Sequence, residues 1–329
     1  MAEIRVGMVG AGGMGSHHAR EILRRDDARI VAMCDISEEA LDRLTQTIGA
    51  AADGVSRYTS LEAMLTHEQL DAVVVTTPHT EHAGHVRACL KAGLHVLVEK
   101  PMATTAKDAR DFIAWAEDAQ KVLAIGYQRH GEGKFIKVRE LLQNGAIGDI
   151  RLVHVLISQD ALDVFRPGAS WRADPALSGG GHVMDTGSHI NDILFWTTGL
   201  EPKRVQAFIN QEGTLVDVNT AVVVEFTNGA VGTLAYTSMS PEWREEFTFY
   251  GTEGMMRFGA AEPLQVNRKG EDIVLPRTPG RGKPPLQNFI DAIYGKAEVQ
   301  APPICGLRVA QLTEAVYASA KSGKPEPVG

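Results

Sequence analysis

Five residues near the start of the chain have the spacing of a phosphate-binding turn. Gly10, Gly12 and Gly15 give the pattern G-x-G-x-x-G, which Gly13 and Met14 complete. An apolar segment precedes the pattern, and a segment typical of a helix follows it. The first glycine allows a tight turn, and the second lets backbone N–H groups approach a ligand at the helix N-terminus. We therefore predict that these five residues bind the pyrophosphate of a dinucleotide, the alternative being a glycine-rich turn without a ligand.

An acidic residue, Asp35, follows Gly15 by twenty positions and ends the next apolar segment. A carboxylate at that place accepts hydrogen bonds from the adenosine ribose hydroxyls of NAD and repels the 2′-phosphate of NADP. The two residues after it, Ile36 and Ser37, include no arginine that would hold such a phosphate. We therefore expect NAD rather than NADP. Asp35 could instead cap the next helix, but Ser37 suits that position better.

Two further polar segments end apolar segments that are typical of parallel strands. Thr76, Thr77 and Pro78 form the first of them, and His82 lies on the helix that follows. Because the carboxyl ends of parallel strands line the cofactor crevice of an open α/β sheet, these four residues are expected to bind the cofactor near its nicotinamide ribose. The alternative is an ordinary loop with a proline at the start of a helix.

The second such segment is Glu99-Lys100-Pro101. Glu99 and Lys100 are also expected to contact the cofactor. A partly desolvated lysine beside a positively charged nicotinamide is well placed to hydrogen-bond a reacting hydroxyl group. The alternative is a solvated lysine paired with Glu99. The sequence leaves open whether the peptide bond before Pro101 is cis.

A third cluster follows three consecutive glycines, 179–181. Asp185, His189 and Asp192 have the spacing i, i+4 and i+7, which places them on one face of a helix. A histidine beside a carboxylate is a natural general base near neutral pH. His182, Asp185 and His189 could instead hold a metal ion, or the cluster could be structural. We expect no metal, because hydride transfer assisted by a lysine and a histidine needs no Lewis acid.

The elements that must position these residues change character along the chain. Up to residue 127, short apolar segments alternate with helical ones, which indicates a parallel sheet covered on both faces. The predicted strands there are 4–9, 30–34, 72–76, 95–99 and 122–127, and the predicted helices are 13–25, 38–48, 61–65, one ending near 92, and 105–119. We therefore predict an α/β Rossmann dinucleotide-binding domain over residues 1–127.

From residue 128 onward, strand follows strand with few helices between them, which indicates a mostly antiparallel sheet. The predicted strands are 150–158, 204–210, 216–226, 230–238 and 246–250, and the predicted helices are 134–144, 183–198, 286–294 and 307–321. Residues 128–329 are thus expected to form an α+β domain. The last helix is expected either to stay in this domain or to pack back on the first.

Composition excludes several classes of partner. The chain has 329 residues, with 33 Lys and Arg against 41 Asp and Glu, for a net charge of −8. No basic cluster stands out, so we expect neither nucleic acid nor an acidic membrane as a partner. The three cysteines have no disulfide or metal spacing, and the N-terminal residues do not resemble an export signal. These features lead us to expect a cytoplasmic protein.

Several motifs together resemble the Gfo/Idh/MocA family of oxidoreductases. They are GAGGMG, Asp35, TTPHTEH, EKPMA, GYQRH followed by GAIGDI, WRADPALSGGGHVMDTGSH and the late YGTEG. EKP together with D-x-G-x-H is the specific part of the resemblance. It implies NAD(P)-linked oxidation or reduction of a sugar, a cyclic polyol or a related carbohydrate by a homodimer or homotetramer. It also implies that residues 128–329 contain a large open sheet that lines the substrate site and builds the oligomer.

The resemblance also implies roles for single residues. Lys100, Asp185 and His189 match the catalytic residues of inositol and sugar dehydrogenases, and they would also contact the substrate. Three further residues are expected to bind substrate: Tyr127, Arg129 and Arg172. In this mechanism His189 takes the hydroxyl proton, Asp185 supports the imidazolium, and Lys100 stabilises the developing alkoxide. Two other functions remain open at this point, an NAD-dependent glycosidase or lyase using transient oxidation and a non-enzymatic NAD or sugar sensor.

Overall fold

The computed structural model describes residues 3–329, which form two compact units. The first unit contains the residues up to Ala103, then Lys107–Gln128 and Lys283–Leu307. The second contains Thr104–Ala106, Arg129–Gly282 and Arg308–Gly329. None of the helices within the described residues combines the length and apolarity that a membrane crossing needs.

The helices and strands follow one another in an order that separates two kinds of sheet. The strands are β1 (Ile4–Val9), β2 (Ala28–Cys34), β3 (Ser56–Tyr58), β4 (Ala72–Val75), β5 (His95–Val98), β6 (Leu123–Ile125), β7 (Ile150–Asp160), β8 (Pro202–Asn210), β9 (Asn219–Phe226), β10 (Val231–Thr237), β11 (Met239–Gly251), β12 (Gly254–Gly259), β13 (Gln265–Arg268) and β14 (Glu326–Pro327). The helices are α1 (Gly13–Ile22), α2 (Glu38–Ile48), α3 (Leu61–His67), α4 (His82–Lys91), α5 (Ala106–Asp118), α6 (Gly133–Gln143), α7 (Leu162–Phe165), α8 (Pro175–Ser178), α9 (Thr186–Thr198), α10 (Pro285–Ile293) and α11 (Pro303–Ser322).

The first unit is built on a six-stranded parallel sheet in the order β3-β2-β1-β4-β5-β6. This is the strand order of a dinucleotide-binding Rossmann fold, and it confirms the predicted fold class. The Ser37 cap predicted from the sequence is confirmed at α2, where the Ser37 side chain accepts a hydrogen bond from the Ala40 N–H. Gly49 ends the same helix with a φ of 55°. The short polar strand β3 is not predicted, because three residues carry no readable periodicity.

Helix α10 belongs to the first unit although it lies more than 150 residues beyond Gln128. Its apolar residues Leu286, Phe289 and Ile290 are buried in the same core as β1, β2 and α1. The first unit is therefore made of separate stretches of the chain.

The second unit is built on an eight-stranded sheet in the order β13-β12-β11-β7-β10-β9-β8-β14. Only the β7–β10 pair is parallel, which confirms the prediction of a mostly antiparallel sheet. Side chains alternate between the two faces of each strand. One face carries Val222, Val224, Phe247 and Phe249 into a core that α6 and α9 cover. Strands β12 and β13 lie beyond the predicted ones, and β11 is longer than predicted.

Candidate active site

The glycine turn connects β1 to α1 in the first unit. Gly10 has a φ of 100°, and a Cβ at this residue would lie 2.7 Å from the Thr76 hydroxyl oxygen. A Cβ at Gly15 would lie 2.2 Å from the Gly10 carbonyl oxygen, so both positions need glycine for packing within the protein. At Gly12 and Gly13, by contrast, a Cβ would meet no atom of the described chain within 4 Å. These two glycines keep space open in front of the turn.

That open space lies at the N-terminus of α1. Gly12 occupies the N-cap position, and no side chain caps the helix there. The first N–H groups of a helix have no partner within the helix, and they carry partial positive charge. Met14, in the first turn, is exposed. The turn therefore fits the pyrophosphate of a dinucleotide in shape and in charge.

Asp35 follows β2 and supports this turn through backbone contacts. Its Oδ2 accepts a hydrogen bond from the Ala11 N–H at 2.8 Å, and its Oδ1 accepts from the Ser37 N–H at 2.9 Å. Each carboxylate oxygen has two acceptor sites, so Asp35 retains capacity for hydroxyl donors. Arg57 on the neighbouring strand is paired with Glu38 and Asp42, at 2.9 and 2.8 Å.

The turn after β4 holds the glycine turn in place. The Thr76 hydroxyl donates to the Gly10 carbonyl oxygen at 2.9 Å. The Thr77 hydroxyl lies 2.9 Å from His85 Nδ1, and Thr76, Thr77 and Pro78 are all half-buried. His82, in contrast, is fully buried between two backbone carbonyl groups, which differs from the expected contact with a cofactor.

The turn after β5 carries Lys100, which is half-buried. The peptide bond between Lys100 and Pro101 is cis. The Glu99 carboxylate is buried and lies 2.7 Å from His18 Nε2, so its partner is a histidine of α1. The alternative of a solvated Glu99–Lys100 pair therefore does not describe this glutamate. No feature of the sequence near Glu99 indicates the contact with His18.

The cluster in the second unit surrounds the start of α9. Asp185 precedes the helix, and its Oδ2 accepts a hydrogen bond from Arg172 Nε at 2.7 Å. The Arg172 guanidinium lies over the Trp171 ring at 4.3 Å from its centroid. His189 is half-buried, whereas the other residues from 181 to 195 are buried. Within this segment His189 is thus the side chain that a ligand can reach most readily.

Asp192, one turn further along α9, has a different environment. Its Oδ2 lies 2.9 Å from His130 Nε2, and both side chains are fully buried. Burial raises the pKa of Asp192, and the charges of His130 and Arg129 only partly oppose this. His189 and Asp192 share a side of the helix as the spacing predicts, but Asp192 is fully buried and contacts His130.

The three glycines before α9 pack against protein rather than open a ligand site. A Cβ at Gly181 would lie 1.9 Å from the Asp217 carbonyl oxygen, and a Cβ at Gly180 would lie 2.1 Å from the Tyr317 hydroxyl oxygen. The Asp217 carboxylate accepts hydrogen bonds from the Gly181 N–H at 2.7 Å, the Val183 N–H at 2.8 Å and the Tyr317 hydroxyl at 2.7 Å. Asp217 therefore fixes the segment that leads into Asp185. The sequence signal for it is a single acid within an otherwise apolar stretch, LVDV.

His182 lies behind this segment and is fully buried. Its Nδ1 is 2.9 Å from the Ser238 hydroxyl oxygen. Burial lowers the pKa of His182 to about 4, and the charges of Asp217 and Asp185 only partly oppose this. The imidazole is therefore neutral at physiological pH.

Two of the residues expected to bind substrate lie in the interior. Tyr127 is almost fully buried in the first unit. The Arg129 guanidinium is paired with the Glu245 carboxylate, with Nη1 2.7 Å from Oε2, and it lies over the Phe135 ring. Trp243 Nε1 also donates to Glu245, at 3.0 Å. Arg129 therefore serves a buried ion pair within the second unit. The sequence does not indicate this pair, because Glu245 lies 116 residues further along the chain.

Comparison with known proteins adds the family to this geometry. The profile described as oxidoreductase family, NAD-binding Rossmann fold, matches residues 4–127, and that of the GFO/IDH/MocA C-terminal domain matches residues 135–257. The chain belongs to the GFO/IDH/MocA family of oxidoreductases. It is therefore an oxidoreductase with an NAD-binding Rossmann domain.

Individual relatives cover most of the chain. The myo-inositol 2-dehydrogenase of Thermotoga maritima is 29% identical over an alignment of 240 residues, which covers 70% of this chain and 67% of the relative. The D-glucoside 3-dehydrogenase of Escherichia coli K12 is 28% identical over an alignment of 346 residues, gaps included, which covers 97% of this chain and 96% of the relative. Among solved structures, the WlbA dehydrogenase of Chromobacterium violaceum, in complex with NADH and UDP-GlcNAcA, is 26% identical, with a TM-score of 0.89 over 100% of this chain and 97% of its own.

Proposed function

We propose that the protein is an NAD-dependent dehydrogenase that moves a hydride between a secondary hydroxyl carbon of a sugar or cyclic polyol and nicotinamide. The observation that carries the proposal is the presence of two kinds of site in one chain of this family. One is an open glycine turn at a helix N-terminus beside an acid. The other is an accessible histidine one turn after an arginine-paired aspartate. The names of the inositol and glucoside dehydrogenases above support the substrate class.

In the proposed reaction, the residues of the chain handle the proton and the charge. Bound NAD would supply the hydride acceptor. His189 takes the proton of the hydroxyl group, because its imidazole is reachable and suited to general base catalysis near neutral pH. Asp185, paired with Arg172, provides the carboxylate that favours the resulting imidazolium. Arg172 is half-exposed, so its remaining N–H groups can also donate to substrate hydroxyls.

Lys100 is proposed to donate a hydrogen bond to the same oxygen. Its ammonium would stabilise the negative charge that develops as the proton leaves. Thr76, Thr77 and Pro78 are proposed to line the cofactor site next to this lysine in the first unit, because all three are half-buried at strand ends.

The test of this function begins with a screen. Inositols, aldoses, glycosides and sugar acids are incubated with NAD or NADP, and the near-ultraviolet absorbance of the reduced cofactor is followed. On the best substrate, Lys100→Ala and His189→Ala should each lower turnover at least about 100-fold, the lower range for acid–base catalysis, while NAD affinity changes little. The exposed Lys107 provides a control, Lys107→Ala, that should leave turnover unchanged. Near-normal turnover in both site variants would refute the assignment.

The preference for NAD over NADP is proposed from the charges after β2. Asp35 would oppose a 2′-phosphate, and Arg57 is already neutralised by Glu38 and Asp42. We expect kcat/KM to favour NAD by at least about tenfold, which corresponds to about 1.4 kcal/mol. In Asp35→Ser this ratio should fall by a similar factor. An unchanged ratio, with the variant folded as judged by its circular dichroism, would contradict this role of Asp35.

We also propose that the chain assembles into a homodimer or homotetramer. The face of the eight-stranded sheet opposite the core exposes Leu152, Phe208, Val223, Val231 and Tyr250. The strand register places them on the same face, since Val231 pairs with Leu152 and Leu152 with Tyr250. Apolar patches of this kind mark association surfaces. Light scattering should give a multiple of 35.6 kDa, and Val223→Glu should shift it toward one chain; a monomeric wild-type protein would exclude the assembly.

A further inference from the structure

The turn that carries Lys100 lies between two buried histidines that the proposed reaction does not use. His18 is on α1, the helix that begins at the glycine turn. His82 is the first residue of α4. Their exposed fractions are 2% and 0%. Each histidine contacts the backbone next to Lys100, one through Glu99 and the other through Pro101.

The contact on the first side is a buried ion pair. His18 Nε2 lies 2.7 Å from Glu99 Oε1, and Glu99 Oε2 accepts a hydrogen bond from the Lys100 N–H at 3.1 Å. Gly126 leaves room for this carboxylate, because a Cβ at that position would lie 2.6 Å from Glu99 Oε1. The Glu99 side chain therefore joins α1 to the peptide group of Lys100.

The pKa of each member of this pair is shifted toward its charged form. Burial alone would lower the pKa of His18, but the carboxylates of Glu21, 3.6 Å from Nδ1, and of Glu99, hydrogen-bonded to Nε2, raise the pKa to about 9. Burial alone would raise the pKa of Glu99, but the hydrogen bond and the charge of His18, helped by the charge of Lys100, lower the pKa below its ordinary value. Titratable groups that face His18 are Glu21 and His17 on its own helix and Glu99 directly after β5. At neutral pH His18 is a cation and Glu99 an anion.

The contact on the second side has no net charge. His82 Nδ1 lies 2.9 Å from the Pro101 carbonyl oxygen, and its Nε2 lies 3.0 Å from the Thr77 carbonyl oxygen. Burial lowers the pKa of His82, and the carbonyl contacts only partly oppose this. A neutral imidazole has one N–H and donates to one of the two oxygens. His82 therefore contacts both the turn after β4 and the turn after β5, and it donates a hydrogen bond to one of them.

We propose that His18, through Glu99, and His82, through Pro101, are positioning residues for Lys100. They hold the backbone on both sides of the lysine and so aim its ammonium at the reacting oxygen. This inference rests on the proposed role of Lys100. Small displacements of a catalytic group are expensive, since about 1 Å can cost about 100-fold in rate. A backbone held from two sides limits such displacement.

The test combines each histidine variant with Lys100→Ala. In the otherwise wild-type protein, His18→Gln and His82→Gln should each lower kcat by about tenfold, with little change in KM or NAD affinity. In the Lys100→Ala background the same substitutions should lower kcat no further, because the group they position is gone. Equal factors in both backgrounds would overturn the inference, since a general structural role acts in either background.

A matched control lies next to His18 on the same helix. The His17 side chain is 58% exposed and 3.8 Å from Glu21, so His17→Gln should change neither kcat nor its response to Lys100→Ala. Near-normal turnover of Lys100→Ala would refute the proposed role of Lys100, together with any residue that positions this lysine, and near-normal turnover of His189→Ala as well would refute the proposed function. A large loss in Lys100→Ala with equal factors for the histidine variants would refute only the positioning role.

Glu99→Gln provides a second route if a histidine variant does not fold. It keeps the shape of the side chain and removes the charge that His18 faces. Nitrogen NMR of labelled histidine in the wild-type holoenzyme should show His18 protonated up to pH about 9, and the midpoint should fall in Glu99→Gln. A His18 that loses its proton at the ordinary pH near 6.5 in the wild-type protein would overturn the ion pair, whatever the turnover.

Discussion

Asp217→Ala should destabilise the second unit because one buried carboxylate accepts three short hydrogen bonds, besides a longer one from the Thr220 hydroxyl at 3.5 Å. The Gly181 and Val183 N–H groups and the Tyr317 hydroxyl all lie within 2.8 Å of its oxygens. Asp217 is 3% exposed, so alanine would leave these donors without water as a substitute. A net contribution of about 1 kcal/mol per hydrogen bond gives a loss of about 3 kcal/mol in the free energy of unfolding.

Thermal unfolding followed by tryptophan fluorescence and circular dichroism measures this loss. A change of 1 kcal/mol moves the midpoint of a domain of this size by about 2–4 °C, so Asp217→Ala should lower it by about 6–12 °C. Turnover should also fall, because the segment before Asp185 loosens, while NAD affinity should remain because its site is in the first unit.

The control for Asp217→Ala is Asp163→Ala. The Asp163 side chain is 91% exposed and pairs with Arg166 on the surface, so its removal should cost less than about 0.5 kcal/mol. If the two alanine variants unfold at the same temperature, or if Asp217→Ala loses NAD affinity in parallel with stability, the assignment of Asp217 to the support of this segment is wrong.

Three further predictions concern the glycine turn and the dependence of stability on acidic and alkaline pH. Gly15→Ala should weaken NAD binding at least about tenfold, since its Cβ would lie 2.2 Å from the Gly10 carbonyl oxygen; titration of NAD measures this, with Gly84→Ala, where the space is open, as the unaffected control. Since burial lowers the pKa of folded His182 to about 4, the unfolded chain binds a proton first, and stability should fall as pH drops from about 6.5 toward 4; this component should be missing from melts of His182→Asn. Since the pKa of His18 is raised to about 9, its contribution should be complete below pH about 6.5 and lost as pH rises through 9, and His18→Gln should flatten the alkaline side of the stability curve. A wild-type curve that matches each variant would contradict the corresponding prediction.

The sequence reveals the parts of this protein in which local pattern and local structure agree. The glycine turn and the Ser37 cap follow from spacing alone, because each acts within a few residues of itself. Asp35 follows from its place at the end of a strand, although its partner Ala11 lies 24 residues away. Position relative to strand ends also identifies the turns of Thr76 and Lys100. The sequence does not indicate the partners of Glu99 and Arg129, since His18 and Glu245 lie 81 and 116 residues away.

The three glycines at 179–181 show a different limit. Consecutive glycines are typical of backbone that lies open to a ligand, whereas Asp217 and Tyr317 lie where side chains of Gly181 and Gly180 would be. A glycine removes a Cβ both where a ligand approaches and where another chain segment packs closely, and the sequence does not distinguish the two. Gly12 and Gly13 are of the first kind and Gly180 and Gly181 of the second.

The separate stretches of the first unit have a consequence for synthesis. The apolar surface that Leu286, Phe289 and Ile290 cover exists as soon as the parallel sheet has been made. Helix α10 leaves the ribosome only after all of residues 129–282. At about 5–20 residues per second this interval lasts on the order of ten seconds or more. During it the nascent sheet presents an unfilled apolar surface, which is a target for chaperones. A fragment ending at Gln128 would keep that surface permanently, so the cofactor-binding half is not expected to be produced in soluble form without the segment 283–307.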